Sequence, residues 1–92
     1  MRSTKIFKDL MEYQRLPLLK QLQQLNSEGT ILCERYFFSR RVSLLYLRGF
    51  YVEVWYDTIR EEVVKVLPFS SLQCLQPYLD LINIDDALRK AY

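Results

Sequence analysis

The chain has 92 residues, of which half are apolar and 14% are aromatic. This is enough apolar material for one core and too little chain for two, so we expect a single domain over residues 1–92. The 13 Lys and Arg against 11 Asp and Glu leave a formal charge of only +2. A balance of this kind argues against nucleic acid as a partner.

Two amphipathic helices are predicted at the start of the chain. Apolar residues recur at helical spacing between Ile6 and Met11 in the first, which is expected to end near Arg15. The reason is Pro17, which disfavours helical geometry in the residue before it and suits the first turn of a second helix. That second helix carries a stripe of leucines and is closed by Gly29.

From Thr30 the apolar period changes from 3.6 to 2, which predicts strands. The segment TILCERYFF (30–38) is expected to be a strand, although so short an apolar pattern is also compatible with a helix. The segments VSLLYLRG and FYVEVWYD flank Arg48-Gly49, a combination typical of a hairpin. EVVKVL (62–67) predicts a last strand that Pro68 terminates. Together these segments predict an antiparallel meander of three or four strands.

Two further short helices are predicted after the sheet. Ser70 and Gln73 have the spacing of a capping box, and Asn83 and Asp86 have a similar spacing before the segment IDDALRKAY. Helices, then strands, then helices is the order of an α+β fold rather than of a parallel α/β sheet. We expect the N-terminal and C-terminal helices to pack on one face of the sheet.

A tight turn at Arg48-Gly49 would sort the side chains of the hairpin onto two faces. One face is then nearly all aliphatic, with Leu47 opposite Phe50 and Leu45 opposite Val52. We call the other the aromatic face; it has Tyr46 opposite Tyr51, Leu44 opposite Glu53, Val42 opposite Trp55, and Arg40 opposite Asp57. A bulged turn would exchange the partners on one strand, so the assignment depends on the turn.

The aromatic face is the candidate binding surface, and its candidate residues are Tyr46, Tyr51, Glu53 and Trp55. Tyr and Trp suit interfaces because they bury a large area and keep a polar tip for a hydrogen bond. The alternative is a purely structural role, since cross-strand pairs stabilise a sheet by roughly 0.2 to 1 kcal/mol each without any ligand. Glu53 is expected either to face solvent or to pair with Arg35 or Lys65.

Four arginines form the one local excess of positive charge, namely Arg35, Arg40, Arg41 and Arg48. We interpret them as a solvated rim of the sheet, with a basic binding patch as the alternative. The charged, amphipathic start of the sequence leads us to expect no secretory leader, and the sequence contains no apolar run of the roughly 18 residues that span a membrane. A cytoplasmic location without membrane contact is therefore expected.

Several kinds of chemistry lack the residues they need. The chain contains no histidine, which removes the commonest general base and the usual partner of Cys in zinc sites. Cys33 and Cys74 are not spaced as a metal-binding pair and are expected to be two buried, unreactive thiols. With only two glycines, no loop can cradle a phosphate. We expect no metal, no cofactor and no enzymatic activity.

The segment LRGFYVEVWYD, followed by LQPYLDLINI, resembles a pattern in short uncharacterised proteins of Bacteroidetes-type bacteria, over about residues 42–84. That resemblance implies a bacterial cytoplasmic origin and no mechanism. In size and in its helices before strands, the chain is also similar to RelE/ParE/HigB toxins, which act on ribosome-associated RNA. This second resemblance implies Lys65, Arg89 and Tyr92 as candidate residues, but the RelE-like arginine and tyrosine motif is missing from the central strands.

The sequence therefore favours a non-enzymatic domain that acts through protein contacts. Its expected partner is another protein or a second copy of the chain, in a homodimer formed through the sheet edge or through the aromatic face. A toxin that acts on ribosome-associated RNA is the alternative.

Overall fold

The computed structural model describes residues 2–78, which confirm the α+β class and the antiparallel meander with four strands. The elements in chain order are α1 (Arg2–Arg15), α2 (Leu18–Glu28), β1 (Thr30–Phe37), β2 (Arg40–Leu47), β3 (Phe50–Asp57), β4 (Glu62–Phe69) and a 3-10 helix, η1 (Leu72–Tyr78). None of the helices in this part of the chain is long and apolar enough to cross a membrane. The helix predicted around Asn83 and Asp86 lies outside the described residues.

An elbow at Pro17 joins α1 to α2. Pro17 has an extended backbone with ψ 153°, which stops the first helix, and its carbonyl accepts the first hydrogen bond of the second from the N–H of Gln21. Two further bonds close the elbow: the Tyr13 hydroxyl donates to the Gln21 carbonyl at 2.9 Å, and the Gln21 amide donates to the Tyr13 carbonyl at 3.0 Å. Both side chains are buried, so their polar groups need these partners.

The β2–β3 hairpin has the predicted two-residue turn and the predicted register, with Leu47 opposite Phe50. Arg48 has φ 50° and Gly49 has φ 95°, and turns with positive φ at both positions match the twist of the flanking strands. Gly49 is also approached closely by α1, because a Cβ built there would lie 2.9 Å from Cγ1 of Ile6. The turn thus fixes the register of the hairpin and also allows α1 to pack closely against it.

The sheet has the order β1-β2-β3-β4, so β1 and β4 are its edges. Strand β4 continues to Phe69, with Pro68 opposite Val52. The prediction that Pro68 ends this strand is wrong. A proline is tolerated here because an edge strand needs hydrogen-bond donors on one side only.

The aliphatic face of the hairpin, which we call the helix face, packs beneath α1 and α2 as predicted. Its buried residues are Leu45, Leu47, Phe50 and Val52, and the helices contribute Leu10, Tyr13 and Leu25. The Tyr13 and Phe50 rings lie 5.6 Å apart at the centre of this cluster. The main core of the described residues therefore lies between the helices and the sheet half nearest the β2–β3 turn.

The 3-10 helix η1 covers the opposite face of the sheet. Leu75 and Tyr78 of η1 form a second buried cluster with Leu44 and Tyr51 of the aromatic face. The prediction that N-terminal and C-terminal helices share one face is therefore wrong for η1. The reason is that β2 and β3 carry large apolar residues on both faces here, and the chain after β4 covers the second one.

Candidate functional site

The aromatic face is less open than the sequence predicts. Tyr51 is only 1% exposed, and its ring stacks on Phe69 at 5.6 Å and meets Tyr46 edge-on at 5.8 Å. Since η1 covers Tyr51, the expectation that this residue forms part of an accessible surface is wrong. Tyr46, Glu53 and Trp55 are half-buried.

Glu53 lies at the centre of the aromatic face and accepts three hydrogen bonds. Its Oε2 accepts from Arg35 Nη2 at 3.4 Å and from the Tyr78 hydroxyl at 2.5 Å, and its Oε1 accepts from Trp55 Nε1 at 3.2 Å. The predicted ion pair with Arg35 is thus confirmed. All three donors belong to the fold itself, so this arrangement fits a structural role.

Two cations accompany the ring of Trp55. The Arg35 guanidinium lies 5.5 Å from the ring centroid and the Lys65 ammonium lies 4.1 Å from it, on strands to either side. Arg35 also lies 5.1 Å from the ring centroid of Tyr78. The charges and rings of this face therefore bind mainly to one another.

The four arginines of the predicted basic rim do not form one patch. Arg40 and Arg48 lie at opposite ends of β2, roughly 26 Å apart at about 3.3 Å per residue. Three of the four have carboxylate partners: Arg35 with Glu53 at 3.4 Å, Arg40 with Asp57 at 3.2 Å, and Arg48 with Glu28 at 2.7 Å. Arg41 instead lies over the ring of Tyr56, 4.8 Å from its centroid.

The two thiols differ in their surroundings. Cys33 is half-buried against the second cluster, and burial raises the pKa of this thiol, which keeps it unreactive at neutral pH. Cys74 is exposed on η1, so the prediction that both thiols are buried is wrong. Within residues 2–78, no group of three or more His, Cys, Asp and Glu side chains is placed to hold a metal ion.

Within residues 2–78, the positions of the side chains give little support to the resemblance to toxins. Lys65, its one candidate within residues 2–78, projects from β4 over the ring of Trp55. Arg89 and Tyr92 lie outside the described residues. The toxin alternative stays a prediction.

Sequence reasoning missed a group of exposed apolar residues along β1 and at the turns beside it. Ile31 is 64% exposed and Tyr36 68%, while Phe38 in the β1–β2 turn is 90% exposed and has φ 56°. The β3–β4 turn lies next to it, because the N–H and hydroxyl of Thr58 both donate to the carbonyl of Ser39. The sequence feature that could have indicated this exposure is that TILCERYFF has apolar residues on both faces of the strand. If only one face is covered, the apolar residues on the other stay exposed.

A groove of about 300 Å³ lies on the helix face between α2 and the start of β1. Its walls include Leu22, Leu25, Ile31, Ser43, Leu45 and Val54, and none of its lining residues is charged. The groove exists because α2 covers β2 but leaves the adjoining edge strand open. Ile31 is thus both a wall of the groove and part of the exposed edge.

The described residues present exposed apolar surface rather than a cluster of reactive groups. The carboxylates of Glu53 and Asp57 have hydrogen-bond partners within the fold, and β1 with its following turn carries four of the exposed apolar residues, Ile31, Tyr36, Phe37 and Phe38. No family model, curated protein or solved structure matches the chain.

Proposed function

We propose that the chain is a non-enzymatic protein-interaction domain that associates with a second copy through the outer edge of β1. The observation that carries this proposal is the exposure of Ile31 and Tyr36 on an edge strand of eight residues. Apolar side chains beside unpaired backbone groups are what a second strand needs for both hydrogen bonding and burial.

The edge of β1 is open, whereas the edge of β4 carries features that oppose pairing. Among the described strands, only β2 pairs with β1, so the outer N–H and C=O groups of β1 lack a strand partner. Both edge strands carry charged residues, such as Glu34 on β1 and Lys65 on β4, but of the two only β4 contains a proline, Pro68, which lacks an N–H. Proline and lysine on edge strands are common means of preventing sheet extension.

This difference between the edges favours a closed dimer over a chain of copies. Growth into a fibre would require the β1 edge of one copy to pair with the β4 edge of the next. Pairing of β1 with β1 of a second copy about a two-fold axis uses only the open edges, and it leaves β4 outermost on both sides. The product would be a continuous antiparallel sheet of two four-stranded halves.

The proposal uses the sheet edge rather than the aromatic face. Burial of Tyr51 under η1 removes the centre of that face, and the Glu53 hydrogen bonds hold Tyr78 over it. The exposed residues on β1 need no rearrangement of the fold before they contact a partner.

Sedimentation equilibrium on the wild type and on Ile31→Lys and Tyr36→Lys tests the proposal. We expect a wild-type dimer, and we expect either charge on β1 to raise its dissociation constant at least tenfold, because the charge must be desolvated on pairing. Ile59→Lys and Leu19→Lys are matched controls, since Ile59 in the β3–β4 turn is 80% exposed, Leu19 on α2 is 67% exposed, and neither residue is on β1. A wild type that stays monomeric at millimolar concentration, or a dimer equally weakened by all four variants, would contradict the proposal.

A further inference from the structure

We infer that the groove between α2 and β1 of each copy receives Tyr36 of the second copy, an inference that rests on the proposed β1 association. The occupant of the groove is then the same chain, and the two contacts are equivalent by symmetry.

The groove and Tyr36 lie at opposite ends of β1, so they meet when the β1 strands of two copies pair antiparallel. The groove lies at the first residues of the strand, beside Gly29 and Ile31, and Tyr36 is the last residue but one. When two β1 strands pair antiparallel over their full length, the end of each lies beside the start of the other. Tyr36 therefore comes next to Ile31 of the partner subunit, and the reverse contact forms at the other end.

Both surfaces also lie on the same side of the sheet. Ile31 is the register partner of Leu45, and Tyr36, which follows the register shift between Ile31 and Cys33, is the register partner of Arg41, which is opposite Tyr56. Leu45, Arg41 and Tyr56 all belong to the helix face, where the groove opens. A two-fold axis perpendicular to an extended sheet keeps each face on its own side, so the Tyr36 ring and the groove of the second copy share the helix side.

The chemistry of the groove suits a phenol ring. At about 30 Å³ per water molecule, its volume of about 300 Å³ corresponds to roughly ten waters over mainly aliphatic walls. An aromatic ring would displace these waters and bury apolar surface on both partners. The hydroxyl of Ser43 and the amide of Asn26 lie in the lining and offer polar partners for the phenol oxygen.

The charge around the groove favours an uncharged aromatic occupant over an anionic or cationic one. No lining residue carries a charge, so a charged side chain placed there would lose its hydration without a compensating ion pair. Tyr36 offers an aromatic ring, and its exposure leaves this ring available to a partner.

A charge-swap experiment with full-length variants tests the inference. Leu22→Glu places a carboxylate in the groove wall without altering β1, and Tyr36→Lys places an ammonium on the proposed occupant. We expect each variant alone to dimerise at least tenfold more weakly than the wild type. When the two variants are mixed in equal amounts, their heterodimer has the introduced Glu beside the introduced Lys at one end. At the other end, the unchanged Tyr36 still meets the unchanged Leu22.

The matched control is a mixture of Leu22→Glu with Ile59→Lys, which has the same charges but no facing pair. Native mass spectrometry should show the Leu22→Glu/Tyr36→Lys heterodimer to be about threefold to fivefold tighter than this control, and 1 M salt should remove the difference. Circular dichroism shows whether each variant folds. If Leu22→Glu does not fold, Leu22→Gln takes its place. Leu22→Gln cannot form the charge pair, so the measured quantity is then the dissociation constant of its homodimer, which we expect to be higher than that of the wild type.

The outcomes separate the two proposals. If the wild type dimerises and the Leu22 variants dimerise equally well, the groove is not part of the interface, which overturns the inference and leaves the β1 association standing. If the heterodimer is no tighter than its control, Tyr36 does not face Leu22, and the inference also fails. A wild type that does not dimerise at all overturns both.

Discussion

The Tyr78 hydroxyl donates a hydrogen bond of 2.5 Å to Oε2 of Glu53 and so joins η1 to the middle of the sheet. Burial, together with this hydrogen bond, raises the pKa of Tyr78, so the hydroxyl keeps its proton at neutral and mildly alkaline pH. The contact explains why the aromatic face is closed: the chain after β4 is held over Tyr51 by a polar bond as well as by Leu75.

Tyr78→Phe removes this donor and keeps the ring. We expect the free energy of unfolding to fall by about 1–2 kcal/mol, because Glu53 loses one hydrogen bond but keeps Arg35 and Trp55. Urea denaturation followed by Trp55 fluorescence measures the change. Tyr56→Phe is the control, since no hydrogen bond of the Tyr56 hydroxyl occurs within residues 2–78. Equal losses in the two variants would contradict the assignment.

The Arg35–Glu53 pair should contribute more to stability than an exposed ion pair. Both side chains are largely buried, whereas Arg60 and Glu62 are exposed and 3.9 Å apart. A double-mutant cycle with Arg35→Gln and Glu53→Gln is expected to give a coupling energy of about 1 kcal/mol or more, and the Arg60–Glu62 cycle close to zero. Thermal or urea unfolding of the wild type and the six variants measures both cycles. A coupling at Arg60–Glu62 as large as that at Arg35–Glu53 would be against this expectation.

Asp57 should make the fold sensitive to acid. The backbone N–H of Arg60, with that of Ile59 and the guanidinium of Arg40, holds the pKa of Asp57 below its ordinary value of 3.8. The folded state therefore favours the carboxylate, and this stabilisation is fully present above pH 3.8 and lost as the pH falls through the lowered pKa. In Asp57→Asn, the midpoint of urea unfolding should depend less on pH in this acid range. An unchanged pH profile would disprove the role of Asp57.

Tyr13 should make the fold sensitive to alkali. Burial raises the pKa of Tyr13 from 10.0 to about 12, so the unfolded chain loses this proton before the folded chain does. The stabilisation is fully present below pH 10.0 and is lost as the pH rises towards 12. Tyr13→Phe is expected to lower stability at pH 7, because the hydrogen bond to Gln21 is lost, and to reduce the fall in stability above pH 10.0. Denaturation at pH 7, 9 and 11 measures both effects.

Glu34 should weaken the proposed dimer. It lies near the middle of β1 with an exposed side chain, so pairing about a two-fold axis brings two like charges close together. We expect Glu34→Gln to lower the dissociation constant at low salt, and the difference to shrink at 1 M salt, where charges more than about 3 Å apart are screened. Sedimentation equilibrium at the two salt concentrations measures this. A Glu34→Gln dimer weaker than the wild type would place the two strands in another arrangement.

The register of the central hairpin could be predicted because it depends on one local feature. Arg48-Gly49 accepts positive φ at both positions, and the alternation of side chains then assigns every residue of β2 and β3 to a face. The partner of Glu53 could not be predicted in the same way, since the sequence left Arg35 and Lys65 as alternatives, and Arg35 reaches Glu53 across β2.

Coverage of the faces could not be predicted in the same way. Alternation shows that Tyr51 and Leu45 point to opposite sides, but it does not show what covers either side. Within residues 2–78, a short 3-10 helix covers Tyr51 through Leu75 and Tyr78, and a segment of that length carries little periodic signal. The exposed edge was missed for a related reason, since the pattern of β1 does not reveal that it is outermost.

The order of the strands also bears on how the chain acquires its structure. Each strand pairs with its neighbour in sequence, so every pairing closes a connection of only two to four residues. Short closures cost little chain entropy, and sheets built from them form faster than sheets that join distant segments. The β2–β3 hairpin can therefore serve as a nucleus to which β1 and β4 are added from opposite sides, and the strand proposed to bind a second copy is one that the nucleus does not need.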